Sequence, residues 1–302
     1  MKASVLHEYG GPDKLRYEDF PDPKAGEGEV LVRVSATSVN PVDWKMRSGA
    51  AKERFPVQFP GILGRDVAGV VRELGPGATG FEPGDQVMAL TRATYAELAA
   101  IPAKDLAKVP EGLELSTAAA LPLVVATADQ LIHTACELQT GQTVLVAGAL
   151  GSVGRIAVYE ALRIGAKVIA GVRKKQVDEA KDLHATEVVA LDDDDAMAKV
   201  GQLDAVADAV GGKTATMLLG KVKQGGVFGT LLGPPEGANL HPGIRVAPMM
   251  AQPDPATLVR YAEAVRDGKL VVPLDRLMPL REAGEAQAVA EKGGVGKIVL
   301  SC

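Results

Sequence analysis

An α/β chain is predicted, with a Rossmann-type doubly wound parallel sheet in one domain and a smaller β-rich fold in another. Three features carry this reading: short strands broken by Pro and Gly before Ile101, apolar runs alternating with helical stretches from Thr143 onward, and a glycine turn at the first strand-to-helix junction of that second region. At 302 residues the chain exceeds what one core usually organises, so two domains are expected. Aromatic residues are only 4% of the chain and glycines number 34, so packing must rest on Val, Ala and Leu while many turns use the freedom of a missing Cβ.

In the N-terminal region, Glu29 to Thr37 alternates apolar and polar residues, and Asp66 to Leu74 follows a similar rhythm. Turns such as Gly10-Gly11-Pro12 and Gly75-Pro76-Gly77 separate such segments. Near Ser116 the texture changes to Ala-rich helical stretches interrupted at Pro122. Beyond this boundary a buried run, Thr143 to Ala147, leads to a helical stretch from Ser152 to Arg163 and a second run from Lys167 to Val172, which is a βαβ unit. Runs at Glu187 to Leu191, Leu203 to Val210 and Gly226 to Leu232 extend the parallel sheet, and Leu258 to Arg266 reads as the last helix of this half. The proline-rich segment from Pro234 to Pro255 reads as loop, and Lys297 to Leu300 as a final short strand.

The glycine turn is the most informative segment. Val144-Leu145-Val146-Ala147 runs into Gly148-x-x-Gly151-x-x-Gly154, with Ser152 and Val153 opening the helix. In a dinucleotide fold such glycines allow a tight turn, close approach of the pyrophosphate, and packing of helix on strand, while the helix N-terminus faces the phosphate charge. The spacing is one residue longer than the usual fingerprint, and a glycine-rich turn without a ligand is the plain alternative. At the end of the second strand, where an acid would take the ribose hydroxyls of NAD, stand Arg173, Lys174 and Lys175. Cations match a 2′-phosphate through charge-assisted bonds, so NADPH is the expected coenzyme and Arg173, with its fork, the stronger candidate. A solvated basic face is the alternative. The acidic run Asp192 to Asp195 reads as a solvated loop leading into a helix.

Bulk properties exclude other classes. A formal charge of −5 gives no basic excess for nucleic acid. No stretch is long and apolar enough for a membrane span, and the N-terminus lacks the apolar core of a signal peptide, so a cytoplasmic protein is expected. Two distant cysteines, Cys136 and Cys302, build neither a disulfide framework nor a metal cage.

The β-rich region before the turn carries Ser38-Val39-Asn40-Pro41-Val42-Asp43-Trp44-Lys45, Pro60-Gly61-Ile62-Leu63-Gly64-Arg65-Asp66-Val67-Ala68-Gly69, Pro83-Gly84-Asp85-Gln86-Val87 and the terminal Gly296-Lys297-Ile298-Val299-Leu300. With these the chain resembles the medium-chain dehydrogenase/reductase superfamily, in its zinc-independent quinone oxidoreductase and enone reductase branch. The resemblance implies a GroES-like catalytic domain from residues 1–120 completed by 268–302, a Rossmann domain at residues 121–267, and NADPH in a cleft. It also implies a homodimer and a small electrophile, a quinone or an enone, as substrate. Zinc-dependent relatives have Cys near Asn40 and Gly-His-Glu in place of Gly64-Arg65-Asp66, so no active-site metal is expected.

By the same resemblance Asn40, Lys45 and Arg65 are the candidate catalytic residues, with Lys45 steadying the nicotinamide ribose or developing enolate charge and Asn40 and Arg65 fixing cofactor and substrate oxygens. Thr127, Leu232, Gly233 and Lys297 join the glycine turn as candidate coenzyme contacts. Lys45 can equally be a surface lysine after a turn, Arg65-Asp66 a structural ion pair or loop brace, and Thr127 a helix cap. Two functions stay open: an NADPH-dependent reductase, and an NADPH-binding regulatory or structural protein with little turnover.

Overall fold

The computed structural model describes residues 1–294 and 296–302. The chain divides into two compact units, Met1–Leu123 with Pro253–Cys302, and Val124–Gln252.

In chain order the first unit opens with strands β1 (Lys2–Leu6), β2 (Leu15–Asp19) and β3 (Glu29–Ser38), then helix α1 (Pro41–Arg47). Strands β4 (Gly61–Ile62), β5 (Asp66–Leu74), β6 (Gln86–Leu90), β7 (Leu98–Pro102) and β8 (Leu106–Lys108) follow, and then the short helix α2 (Leu115–Ala118). Helix α3 (Pro122–Gln130) carries the chain across the division, with Pro122 as its first residue. The sequence pattern treats that proline as an interruption, yet proline is tolerated at a first helical position because the N–H it lacks would have no partner there.

The second unit comprises β9 (Thr143–Ala147), α4 (Ser152–Ile164), β10 (Lys167–Val172), α5 (Val177–Ala180), β11 (Glu187–Ala190), α6 (Asp194–Lys199), β12 (Leu203–Asp208), α7 (Gly212–Leu219), β13 (Val222–Thr230) and β14 (Arg245–Pro248). The chain then returns to the first unit with α8 (Pro255–Arg266), β15 (Leu274–Pro279), α9 (Ala283–Glu291) and β16 (Lys297–Ser301). The sequence pattern reads α8 as the last helix of the nucleotide-binding half; it packs against β8 and its contacts place it in the first unit.

The second unit is built on one parallel sheet in the order β11-β10-β9-β12-β13-β14. Strand order reverses between β9 and β12, and ligands bind outside the carboxyl ends of strands at such a point. Strand β14 lies within the segment read as loop from sequence. Its closing Pro248 sits on an edge strand, where a missing N–H is tolerated. Leu145, Val206, Leu218 and Phe228 fill the core against this sheet with no exposure. Truncating a side chain such as Phe228 to alanine would cost about 3–5 kcal/mol.

In the first unit β16 pairs antiparallel with β3, β3 with β5, and β5 with β6. Val30, Val32, Val67 and Ile101 close one side of this sheet. Leu6, Leu63, Tyr95 and Leu300 pack on the side that also receives α9. The pairing of β3 with β16 sets Ser38 opposite Val299, which brings the residues after β3 beside the start of the last strand.

Candidate functional site

Two arrangements carry chemistry, one in each unit. In the second unit the apolar strand β9 is followed by Gly148 at φ +79°, a left-handed conformation that disfavours side chains. The N–H groups of Gly148 and Ala149 donate to the carbonyl of Gly171 at 2.9 and 3.1 Å, and that of Gly151 to the carbonyl of Gly148 at 2.9 Å, so the turn is pinned to the end of β10. A Cβ on Gly154 would overlap the Gly148 carbonyl oxygen and come within 2.7 Å of the Ala149 Cα. Gly151 caps α4 and brings no side chain to its first turn. The N–H groups of Ser152, Val153 and Gly154 therefore point from a helix N-terminus without intrahelical acceptors, a donor set that fits a pyrophosphate.

The three cations after β10 are exposed and differ in their partners. The Arg173 Nε donates to the Gln176 Oε1 at 3.2 Å, a neutral acceptor, and among the described residues the guanidinium has no ion pair. The Lys174 ammonium pairs with Asp193 at 2.7 Å. Lys175 has no ion pair among the described residues. Asp193 also caps α6 by accepting from the Ala196 N–H at 3.1 Å, as the sequence pattern of carboxylates at a helix start suggests.

At the ends of β12 and β13 a buried pair locks the backbone. Asp208 accepts from the N–H groups of Val210 and Gly211 at 3.0 and 2.9 Å, and from the Thr230 hydroxyl at 2.9 Å. The Thr230 oxygen in turn accepts from the Leu232 N–H at 3.1 Å, which holds the half-exposed Leu232 and Gly233 just past β13. Sequence reasoning missed Asp208 and Thr230; the available signal was a carboxylate ending a buried apolar strand. Thr127 lies half-buried inside α3 rather than at its start, so the reading of it as a helix cap is corrected.

His133 stands on the π-helical stretch Leu131–Ala135 and brings Asp129, one turn earlier, within 3.8 Å and Glu160 of α4 within 2.6 Å. These three could offer ligand atoms to a metal ion. The Arg163 guanidinium, however, donates to both Glu160 oxygens at 2.9 and 2.7 Å, which makes the group an ion-pair cluster.

In the first unit Asn40, Asp66 and Lys297 meet in a buried cluster. The Asn40 amide donates to Asp66 Oδ2 at 2.7 Å, while the Lys297 ammonium donates to Asn40 Oδ1 and lies 3.4 Å from Asp66. Asp66 also accepts from the Ser38 hydroxyl and from the Leu123 N–H at 2.7 Å. Burial pushes Lys297 below the ordinary lysine range, and the nearby Asp66 and Asp43 carboxylates oppose that shift. Zinc needs sulfur, imidazole or carboxylate donors converging on an open position. This set offers one carboxylate, an amide and an ammonium already placed among them, so it does not fit a catalytic zinc ion.

Asp43 lies fully buried on α1, accepts from the Asn40 N–H at 2.8 Å and from the Tyr95 hydroxyl at 3.1 Å, and is pushed up to about 7 by burial. Its second oxygen and the buried Gln287 Nε2 have no partner among the described residues. Arg65 is half-buried; its Nε donates to the Thr91 carbonyl at 2.8 Å, and it forms no ion pair with Asp66 among the described residues. Burial lowers its pKa while Asp43 and Asp66 nearby favour its charge. Lys45 sits exposed in the last turn of α1, outside the buried cluster. The structure thus brings Asn40 and Lys297 together on Asp66, holds Arg65, next in sequence to Asp66, on the Thr91 carbonyl, and leaves Lys45 at the surface. No helix among the described residues is long and apolar enough to cross a membrane.

The family described as alcohol dehydrogenase GroES-like domain matches residues 26–111, and that described as zinc-binding dehydrogenase matches residues 183–300. The chain is similar to a chloroplast envelope quinone oxidoreductase homolog of Arabidopsis thaliana, 30% identical over 322 residues that cover 99% of this chain and 98% of that protein. It is 31% identical over 247 residues to an NADPH-dependent alkenal/one oxidoreductase, chloroplastic, of the same plant, which covers 77% of this chain and 63% of that protein. The solved quinone oxidoreductase of Coxiella burnetii aligns with a TM-score of 0.90 at 28% identity, covering 100% of this chain and 99% of that one.

Proposed function

The chain belongs to the medium-chain dehydrogenase/reductase superfamily, among its quinone oxidoreductases and alkenal/one oxidoreductases, and from that premise we propose that it reduces a small quinone or α,β-unsaturated carbonyl with NADPH and without catalytic zinc. It is an oxidoreductase that uses a nicotinamide coenzyme. The observation that carries the finer reading is the open N-terminus of α4 behind Gly148, Gly151 and Gly154, followed on the neighbouring strand by Arg173, which has no ion pair among the described residues. The similarity to an enzyme named for NADPH supports the same coenzyme.

A reduced nicotinamide, when bound, would supply a hydride. The chain's own residues bind, orient and stabilise charge. The N–H groups of Ser152, Val153 and Gly154 hold the pyrophosphate, and Arg173 with Lys175 meets the 2′-phosphate through charge-assisted bonds. Thr127, Leu232 and Gly233 are assigned to the nicotinamide end. Asn40 and Arg65 orient oxygens of the reactants, and Lys45, exposed and cationic, steadies negative charge as it develops on a carbonyl oxygen. Lys297 acts through Asn40, whose amide it fixes by donating to Oδ1.

Titration of the purified protein with NADPH and with NADH, followed by coenzyme consumption across a panel of quinones and enones, tests this. The expected result is tighter NADPH binding, by about tenfold or more for a phosphate gripped by Arg, and substrate-dependent oxidation. Equal affinity for the two coenzymes would remove the NADPH assignment. Tight binding with no oxidation across the panel would favour a regulatory or structural protein.

A further inference from the structure

We propose that Asp193 sets coenzyme selectivity by engaging the Lys174 ammonium, so that this lysine is withheld from an incoming 2′-phosphate. This rests on the reading of the preceding subsection and goes beyond it by naming a specificity-determining residue that lies outside the glycine turn and the cations themselves.

The two loops concerned are laced together by the sheet. Strands β10 and β11 run parallel with Val172 opposite Ala190, and the Leu191 N–H donates to the Val172 carbonyl at 2.8 Å. Immediately beyond, the Lys174 N–H donates to Asp192 Oδ1 at 2.6 Å, so the acidic run after β11 emerges level with the basic run after β10. Asp193 is held from its own side as well. One of its oxygens accepts the Ala196 N–H at the start of α6, and the other faces the Lys174 ammonium at 2.7 Å. A carboxylate fixed by a helix cap presents its second oxygen in one place, which favours the pair over a mobile lysine reaching elsewhere.

The three cations therefore are not equivalent. Arg173 leans on a neutral amide, Lys175 has no ion pair among the described residues, and Lys174 already shares its charge with an acid. Asp193 in addition places a negative charge beside the position where a second negative charge is to bind. No carboxylate stands directly after Val172 to reward the free ribose hydroxyls of NADH, so the difference between the coenzymes falls mainly on how much positive charge the phosphate meets. Releasing Lys174 raises that charge and leaves the contacts common to both coenzymes in place.

Isothermal titration of the whole apoprotein, with each coenzyme and no substrate, reads the effect. Asp193→Asn retains an oxygen able to cap α6 and removes the charge. It is expected to raise the NADPH-to-NADH affinity ratio about two- to fivefold, the range for an exposed ion pair, with the change fading as salt is raised. Asp193→Glu is expected to restore the parent ratio. In a double-mutant cycle, Lys174→Ala should cost the Asp193→Asn variant more NADPH affinity than it costs the parent. A merely structural role for Asp193 would move both coenzymes alike, and that result overturns the inference. So does a gain that Lys174→Ala leaves undiminished. Should Asp193→Asn not fold, Lys174→Ala in the parent decides: a loss of NADPH affinity equal to that of Arg173→Ala means Lys174 is not withheld. A parent that binds neither coenzyme overturns the preceding reading, whereas a parent that prefers NADPH with an unchanged ratio in the variant overturns only this one.

Discussion

The Lys297 ammonium donates to the side-chain oxygen of Asn40, joining the last strand to the start of α1 across 257 positions of sequence. The same ammonium lies 3.4 Å from the buried Asp66 carboxylate. Lys297→Met keeps the length of the stem but leaves Asp66 charged in a dry site. Breaking one side of a buried pair costs about 3–5 kcal/mol; the Ser38, Asn40 and Leu123 donors that remain on Asp66 favour the lower end. Urea unfolding checks this, and Asp66→Asn in the same background is expected to recover part of the loss. An unchanged unfolding midpoint in Lys297→Met would show that the cation contributes little.

Gly154→Ala tests the turn. The new methyl meets backbone, the Gly148 carbonyl and the Ala149 Cα, and neither can rotate aside as a side chain would. The expected outcome is a stability loss of about 1–3 kcal/mol. Coenzyme affinity should fall about tenfold or more, because the N–H groups that meet the phosphate shift with the turn. Calorimetric binding and a melting curve read the two effects, and parent-like affinity in this variant would mean that the coenzyme is held elsewhere.

Arg173→Ala separates the coenzymes. Among the described residues the guanidinium bonds the neutral Gln176 side chain alone, so its removal disturbs little of the fold. NADPH affinity is expected to drop by about 1.5–3 kcal/mol, the worth of a charge-assisted bond, with NADH affinity nearly constant. Parallel loss for both coenzymes would point to a structural role for Arg173.

Asp43 makes stability depend on pH. Burial raises its folded-state pKa to about 7 from the ordinary 3.8, so between these values the folded chain keeps a proton that the unfolded chain has released. Its contribution to stability therefore falls as pH rises through this window and levels off above it. Asp43→Asn removes the titration, and the stability of the variant relative to the parent should climb by up to about 1.4 kcal/mol per pH unit inside the window. Urea unfolding at a series of pH values measures the difference; a constant gap between the two proteins would show that Asp43 does not titrate there.

What the sequence disclosed follows the range of each signal. The dinucleotide turn is legible because strand, glycines and helix follow one another between Thr143 and Ile164, and the parallel strands are legible because each is a short apolar run. Strand β14 is hidden since Pro242 precedes it, Pro248 closes it, and none of its residues is fully buried. Thr127 looks like a cap only while Pro122 is read as a break instead of a first helical residue. The cluster of Asn40, Asp66 and Lys297 is the least local. Each residue stands in a recognisable motif, yet their mutual contact depends on the pairing of β16 with β3, which no neighbouring residue announces. Asp208 and Thr230 were missed for a similar reason, being separated by 22 positions and joined across adjacent strands.

The interrupted first unit gives the growing polypeptide an order of events. Ribosomes deliver Asn40 and Asp66 early, but the strand bearing Lys297 is translated only after every residue of Val124–Gln252. The uninterrupted stretch can complete its sheet while those two polar side chains are still hydrated, and the late strand then dries them by bringing the ammonium that makes their enclosure tolerable. Nascent chains released before that strand would carry an acid and an amide at the heart of a unit that has no means of sealing over them.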